Sequence, residues 1–223
     1  MSAARTPEPL PPLTRLPGGR HNLSREAVEG SQRERMLVAM LQSVAVRGYA
    51  ATTVADVVGA AAVSRSTFYA NYADKEACFV AAYGYAMDRT LAHLSEAAKS
   101  LQNLDWHERL RSDIATYMEA LAEEPALAAT LHVEVLAAGP TAIEHRAQML
   151  GLLASRIAQL NEQARAQQPE LPEVPPAAFA LYTGGLDELI RDRLRTAGPE
   201  QLRDLVEPVL AATRALFGAP PAG

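Results

Sequence analysis

One cysteine and one tryptophan stand among 223 residues, and only 5% of the chain is aromatic. A lone Cys78 excludes an intramolecular disulfide and any cysteine-rich zinc site. Its place beside Phe79 suits an inert core thiol. His93, His107 and His145 show neither H-x-x-x-H nor H-E-x-x-H spacing, so no metal site is expected. The chain also lacks G-x-S-x-G, a P-loop and the Rossmann glycine pattern, which argues against the common hydrolase, nucleotide and dinucleotide chemistries. Neither a catalytic residue nor a cofactor is expected. No uncharged apolar run approaches the ~18 residues that would span a bilayer. Prolines and charges interrupt the N-terminal apolar runs, so no signal-peptide pattern forms there. These absences lead us to expect a soluble, cytoplasmic protein with no membrane partner. No segment holds a strand-like alternation long enough to suggest a sheet, and the fold expected is all-α, with about nine helices.

What is present supports a packed core and a basic N-terminal end. Hydrophobic residues make up 48% of the sequence. The net charge of −5, read alone, argues against nucleic acid. Its distribution argues the other way. Residues 1–75 hold nine Lys/Arg against six Asp/Glu, a net of +3, and residues 76–223 hold twelve against twenty, a net of −8. A local excess of positive charge is the footprint of a polyanionic partner.

The basic end carries the most specific pattern. Leu37, Met40, Leu41 and Val44 recur at three- and four-residue steps and give a first helix one apolar stripe. Gly48, after Arg47, is placed to end that helix in a left-handed conformation. Thr52 and Thr53 can cap a second helix through Val54, Val57 and Val58. Ser64 then caps a third, with Phe68 and Tyr72 four apart on its inner face. This order of short helices is a helix-turn-helix, with the third helix as the reading element. If Ser64 is the cap, Arg65, Ser66 and Thr67 fill the first turn, the end that enters a major groove. Arginine can donate twice to guanine, and serine or threonine can reach several base edges. Tyr69 shares the outward face, with its hydroxyl free for a phosphate. Taken alone, S-R-S-T-x-Y would read as a solvated polar face; the flanking helices decide against that. Asp74 can cap a fourth helix that starts at Lys75. A cation there opposes the helix dipole by roughly 0.3–1 kcal/mol, and a phosphate shared with the free amide groups would offset it.

The segments G-Y-x-x-T-T-V-x-D-V, V-S-R-S-T-F-Y and D-K-E, within about residues 30–85, closely resemble the DNA-binding domain of the TetR family of transcriptional repressors. The resemblance implies that Thr52 or Thr53 contacts phosphate, that Arg65, Ser66 and Thr67 face bases beside the Ser64 cap, and that Tyr69 and Lys75 hold the DNA backbone. Family members often carry glycine before the Val-Ser pair, where this chain has Ala62; a positive φ there would cost alanine about 1 kcal/mol. Asn71 stands where a histidine commonly precedes the final aromatic and is counted with the DNA-contacting set. Tyr72 replaces the usual phenylalanine and is expected to pack inward.

The organisation expected is a flexible Pro-rich arm over 1–24, a helix-turn-helix domain over 25–75, and a helical ligand-binding and dimerisation domain over 76–223. Arg15, Arg20 and Arg25 would let the arm reach DNA; a passive tail is the alternative. The fourth helix should run from Lys75 to about Ser100, and a fifth should start from an Asp105 cap. A sixth should run from Pro125 to the Gly139-Pro140 break, and a seventh over about 141–167. Pro176–Thr196 and Pro199–Phe217 give the last two. The resemblance implies that these two pair with a second copy, and Phe179, Gly184, Gly185, Leu189, Leu205 and Val209 are the candidate dimer contacts. Two glycines inside a helix cost about 1 kcal/mol each against alanine, which close approach of another helix would justify. The middle helices offer Met87, Trp106, Tyr117, Met118, His132, Glu134, Met149 and Tyr182 as candidate linings of an apolar ligand pocket.

The reading reached is a homodimeric, sequence-specific regulator of transcription, a repressor released from a palindromic double-stranded DNA operator by a small-molecule effector. A helical enzyme, or an interaction module of the same fold without operator binding, is the alternative. The missing catalytic motifs weigh against the enzyme, and outward Arg65, Ser66 and Lys75 weigh against the interaction module.

Overall fold

The computed structural model describes residues 25–99 and 106–218. The expected arm over 1–24, the Asp105 cap and the side chains of Arg25, Trp106 and His107 lie outside the described residues. Nine α-helices and two 3-10 runs make up the described chain, with no strand among them. They are α1 (Arg25–Arg47), α2 (Val54–Ala61), α3 (Arg65–Asn71), α4 (Lys75–Lys99), α5 (Trp106–Glu123), α6 (Pro125–His132), α7 (Pro140–Gln167), α8 (Pro176–Thr196) and α9 (Val206–Phe217).

Helix boundaries follow local chemistry. Gly48, at φ 76°, ends α1, and Pro125 and Pro176 each occupy a first turn where a missing N–H costs nothing. Two expected helices are shorter than their patterns suggested. The sixth stops at His132 and continues as a 3-10 run, Glu134–Ala137, before Gly139 and Pro140. The last divides into a 3-10 run, Pro199–Leu205, and α9. Pro208 explains the second break. In one continuous helix it would sit inside, unable to bond to Asp204 and clashing with that carbonyl. Starting α9 at Val206 places Pro208 in a first turn instead.

The chain packs as two compact units. Among described residues, the N-terminal unit holds 25–89 and 124–143, and the C-terminal unit holds 90–99, 106–123 and 144–218. Division by packing runs through α4 and α7. Met36, Met40, Leu41, Val57, Phe68, Phe79, Leu131 and Val135 fill the core of the first. Burying a side chain of that size contributes roughly 1.5–3 kcal/mol, so α1 and α6 are fixed by the same apolar mass.

In the C-terminal unit the core is Met118, Leu121, Ile190, Leu202, Leu205, Val209, Leu210 and Phe217. Phe179 stacks on Phe217 at 5.3 Å, and the Thr213 and Tyr182 hydroxyls are 3.0 Å apart. Arg203 grips Glu119 with two bonds of 2.6 and 2.7 Å. Buried Asp187 is held by Arg146 and Arg191, so its charge is not left alone in a dry site.

Candidate nucleic-acid interface

The site is built from the turn after α1 onward. Gly48 donates to the Val44 carbonyl at 2.8 Å and turns the chain left-handed, and Tyr49 then folds inward edge-on to Phe79, with ring centroids 5.0 Å apart. Burial is the main cause that raises the Tyr49 phenol above its ordinary pKa, with Glu76 and Asp74 adding to it, so the ring stays neutral. Thr53 caps α2 with a complete capping box. Asp56 N donates to Thr53 Oγ1 at 3.2 Å, and Thr53 N donates to Asp56 Oδ2 at 2.9 Å. The Thr53 side chain and backbone bonds, and then Arg47, hold the Asp56 carboxyl below the usual carboxylate range.

The turn into α3 is left-handed at Ala62, with φ 52° and ψ 46°. Ala62 N donates to Gly59 O at 3.3 Å and Val63 N to Val58 O at 3.1 Å, the paired bonds of a Schellman motif. The positive φ that the Gly-to-Ala departure put in question is thus present, on a residue that dislikes it. Ser64 follows as the cap of α3, accepting from Thr67 N at 3.0 Å. Its Oγ also lies 2.7 Å from Ser66 Oγ and 2.8 Å from Thr67 Oγ1. A seven-residue helix is too short to hold itself. Phe68, fully buried, and Tyr72 anchor it.

That anchoring decides what faces outward. Arg65, Ser66 and Tyr69 are exposed, and Tyr69 stands edge-on to Phe68 at 5.4 Å with 52% of its surface free. Thr67 is half-buried beneath them. Asn71 donates to Thr67 O at 2.8 Å, so its amide nitrogen serves the end of α3. At the start of α4, Asp74 accepts from Ala77 N at 2.8 Å as expected of a cap. Lys75 is half-buried; its Nζ donates to Tyr49 O at 2.9 Å and lies 4.1 Å above the Tyr49 ring. One of its three N–H groups is thereby used.

Several expected contacts need correction. Thr52 is buried, and its hydroxyl donates to Gly48 O at 2.8 Å, so Thr53 is the threonine that faces solvent. Phe179, Leu205 and Val209 are 7%, 4% and 2% exposed and belong to this chain's own core. The apolar stripe that suggested them as dimer contacts faces inward. Leu189 and Gly185 remain exposed, joined by Leu181 and Leu216. The candidate pocket residues are not gathered in one unit. Met87 and His132 lie in the first, and Tyr117, Met118, Met149 and Tyr182 in the second. Met118 is fully buried, and Tyr182 packs on Phe217. The Glu134 carboxylate accepts from Tyr49 N at 2.6 Å.

Two interactions of the site had no signal in the sequence. Glu134 lies 85 residues from Tyr49, beyond any local spacing rule. Asp56 fits the cap pattern of the second helix, but its ion pair with Arg47 at 2.9 Å depends on how the turn folds. No cluster of three or more His, Cys, Asp or Glu placed to hold a metal occurs among the described residues.

A buried-backed short helix with a polar first turn, capped and preceded by two braced helices, defines the helix-turn-helix of a DNA-binding regulator. Residues 37–82 match the family model for bacterial regulatory proteins of the tetR family. No curated protein matches the chain in sequence. Solved structures do match in fold. The fatty acid degradation regulator FadR from Bacillus halodurans shares 22% identity and covers 84% of this chain and 96% of its own, at a TM-score of 0.66. FadR from Bacillus subtilis, solved with stearoyl-CoA, shares 19% identity over 83% and 98% of the two chains, at 0.66. A TetR-family transcriptional regulator from Syntrophomonas wolfei shares 19% identity over 87% and 99%, at 0.68. Residues 37–82 are therefore a tetR-family DNA-binding domain, carried on the fold of TetR-family transcriptional regulators.

Proposed function

We propose that this protein is a cytoplasmic, homodimeric repressor of transcription, not an enzyme, that binds a palindromic operator and leaves it when a small molecule binds. The observation that carries the reading is α3. Its inner face is locked by Phe68 and Tyr72 while Arg65, Ser66 and Tyr69 face outward. Arg65 reads a base, Ser66 and Thr67 assist, and Thr53, Tyr69 and Lys75 hold phosphates. Residues 25–75 serve as the DNA-binding domain and 76–223 as the effector and dimer domain. Dimerisation uses the outward face of α8 and α9, where Leu181, Leu189 and Leu216 are exposed at 72%, 46% and 45%. A Cβ added at Gly184 or Gly185 would meet nothing within 4 Å, so the described residues offer no close helix there. A partner's helix accounts for both the exposed leucines and the bare glycines.

The effector is an apolar or amphipathic small molecule. Stearoyl-CoA, bound to a structural relative, is a reasonable first probe. Whatever factor the effector takes from DNA affinity, DNA takes from effector affinity. Selection from random double-stranded fragments by the full chain tests the whole reading. Enrichment of one inverted repeat, with half-sites about 34 Å apart, is expected. Retention of no sequence would leave an interaction module in its place.

A further inference from the structure

The backbone of Tyr49, in the α1–α2 turn, is held from two sides. Glu134 accepts from Tyr49 N at 2.6 Å, and Lys75 donates to Tyr49 O at 2.9 Å. The donor and the acceptor of one residue are thus taken by side chains from distant parts of the N-terminal unit. A Cβ at Gly48 would sit 3.5 Å from Glu134 Oε2, an ordinary contact, so it is the φ of 76° that favours glycine there. A second tie runs the opposite way. Glu76, next to Lys75, accepts from Thr141 N at 3.0 Å and lies over Gly139, where a Cβ would come within 2.7 Å of its Oε1.

These bonds have one geometric consequence. Lys75 takes its position from the Tyr49 carbonyl and ring, and Tyr49 takes its position from Glu134. A part-buried backbone N–H needs an acceptor, and here a charged one is used, which binds more strongly than a neutral one. We propose that Glu134 is a positioning residue for DNA binding: through the Tyr49 peptide it sets the ammonium of Lys75 for a DNA phosphate. The proposal rests on the reading of Lys75 as a phosphate contact. It makes the 3-10 run after α6 part of the DNA-binding apparatus through Lys75.

The test uses the full chain and the inverted repeat that it selects. Glu134→Met keeps side-chain length but removes the acceptor; Glu134→Gln keeps an acceptor without charge. Glu134→Met should weaken binding about tenfold and lower the slope of log affinity against log salt by about one, as losing one phosphate contact does. Glu134→Gln should restore most of the affinity. In a Lys75→Ala background, Glu134→Met should add no further loss, because both changes act on one contact. Wild-type affinity in Glu134→Met, an equal further loss in the Lys75→Ala background, or no rescue by Glu134→Gln would each overturn the proposal. Failure of Glu134→Met to fold while Glu134→Gln folds would overturn it too, by making the bond a structural one. If the wild-type chain selects no sequence, the reading of the protein as a regulator fails first, which separates the two outcomes.

Discussion

Tyr72 shows how one hydroxyl changes the energetics of the reading helix. Its ring closes the inner face of α3 at 5.7 Å from Phe68, and its side chain is 8% exposed. Its hydroxyl is buried without a hydrogen-bond partner among the described residues. Leaving such a group unpaired costs roughly 1–3 kcal/mol. Burial, followed by the neighbouring Cys78, pushes the phenol up to about 12 from its ordinary 10.0. A raised phenol pKa means that the fold favours the neutral form. The stability it confers is complete below pH 10 and is lost as pH rises towards 12. Tyr72→Phe should therefore stabilise the chain by about 1 kcal/mol and remove that part of the alkaline loss, as thermal unfolding between pH 8 and about pH 12 would record. Equal stability of the two proteins, with the same alkaline profile, would mean that the hydroxyl is satisfied by water.

Among the elements, the turn between α2 and α3 carries the clearest strain. Ala62 holds φ 52° within a Schellman motif that glycine would occupy freely. A left-handed alanine costs on the order of 1–2 kcal/mol, partly offset by the greater freedom that glycine loses on folding. Ala62→Gly should raise the unfolding free energy by up to about 1 kcal/mol, measured by denaturant titration, with no change in the DNA sequence selected. The strain was foreseeable because the glycine position is local to the motif. So were α4 and α8, whose caps and prolines lie within a turn of their ends. Other features needed the fold. The patterns that ran to Gly139 and Phe217 hid the breaks at Val133 and Leu205. Pro208 could have signalled the second, since a proline one turn into a helix fits better than one in its middle. The Glu134 bond to Tyr49 joins segments 85 residues apart, and no periodicity records such a pair. Burial of Thr52 was equally hidden, because Thr52 and Thr53 are chemically alike and only the turn geometry separates them.

For the whole molecule, the apolar stripes of α8 and α9 set the limit of what periodicity tells. A stripe says that a face is covered, not by which chain. Phe179, Leu205 and Val209 lie inside this chain, while Leu181, Gly185, Leu189 and Leu216 are left outside. Gly185→Leu separates folding from assembly. Leucine should raise helix stability by up to about 1 kcal/mol, since no described residue outside its own helix turn lies within 4 Å of the added Cβ. At a helix–helix interface it should instead weaken dimerisation by roughly 1–3 kcal/mol, about ten- to a hundredfold. Sedimentation together with thermal unfolding reads both effects. An unchanged dimer would place the interface elsewhere.

The most direct measurement for the account as a whole combines the reading helix with the dimer. The selection from random duplexes is run in parallel with wild type and Arg65→Ala, each across a salt series. Arg65 is exposed in the first turn of α3, and a bidentate contact to guanine discriminates by roughly 1–3 kcal/mol. The account predicts that Arg65→Ala loses base preference at one position in each half-site, symmetrically, and keeps the rest of the inverted repeat. An identical set of selected sequences, or an equal loss of affinity on every sequence, would contradict the assignment of α3 as the element that reads DNA.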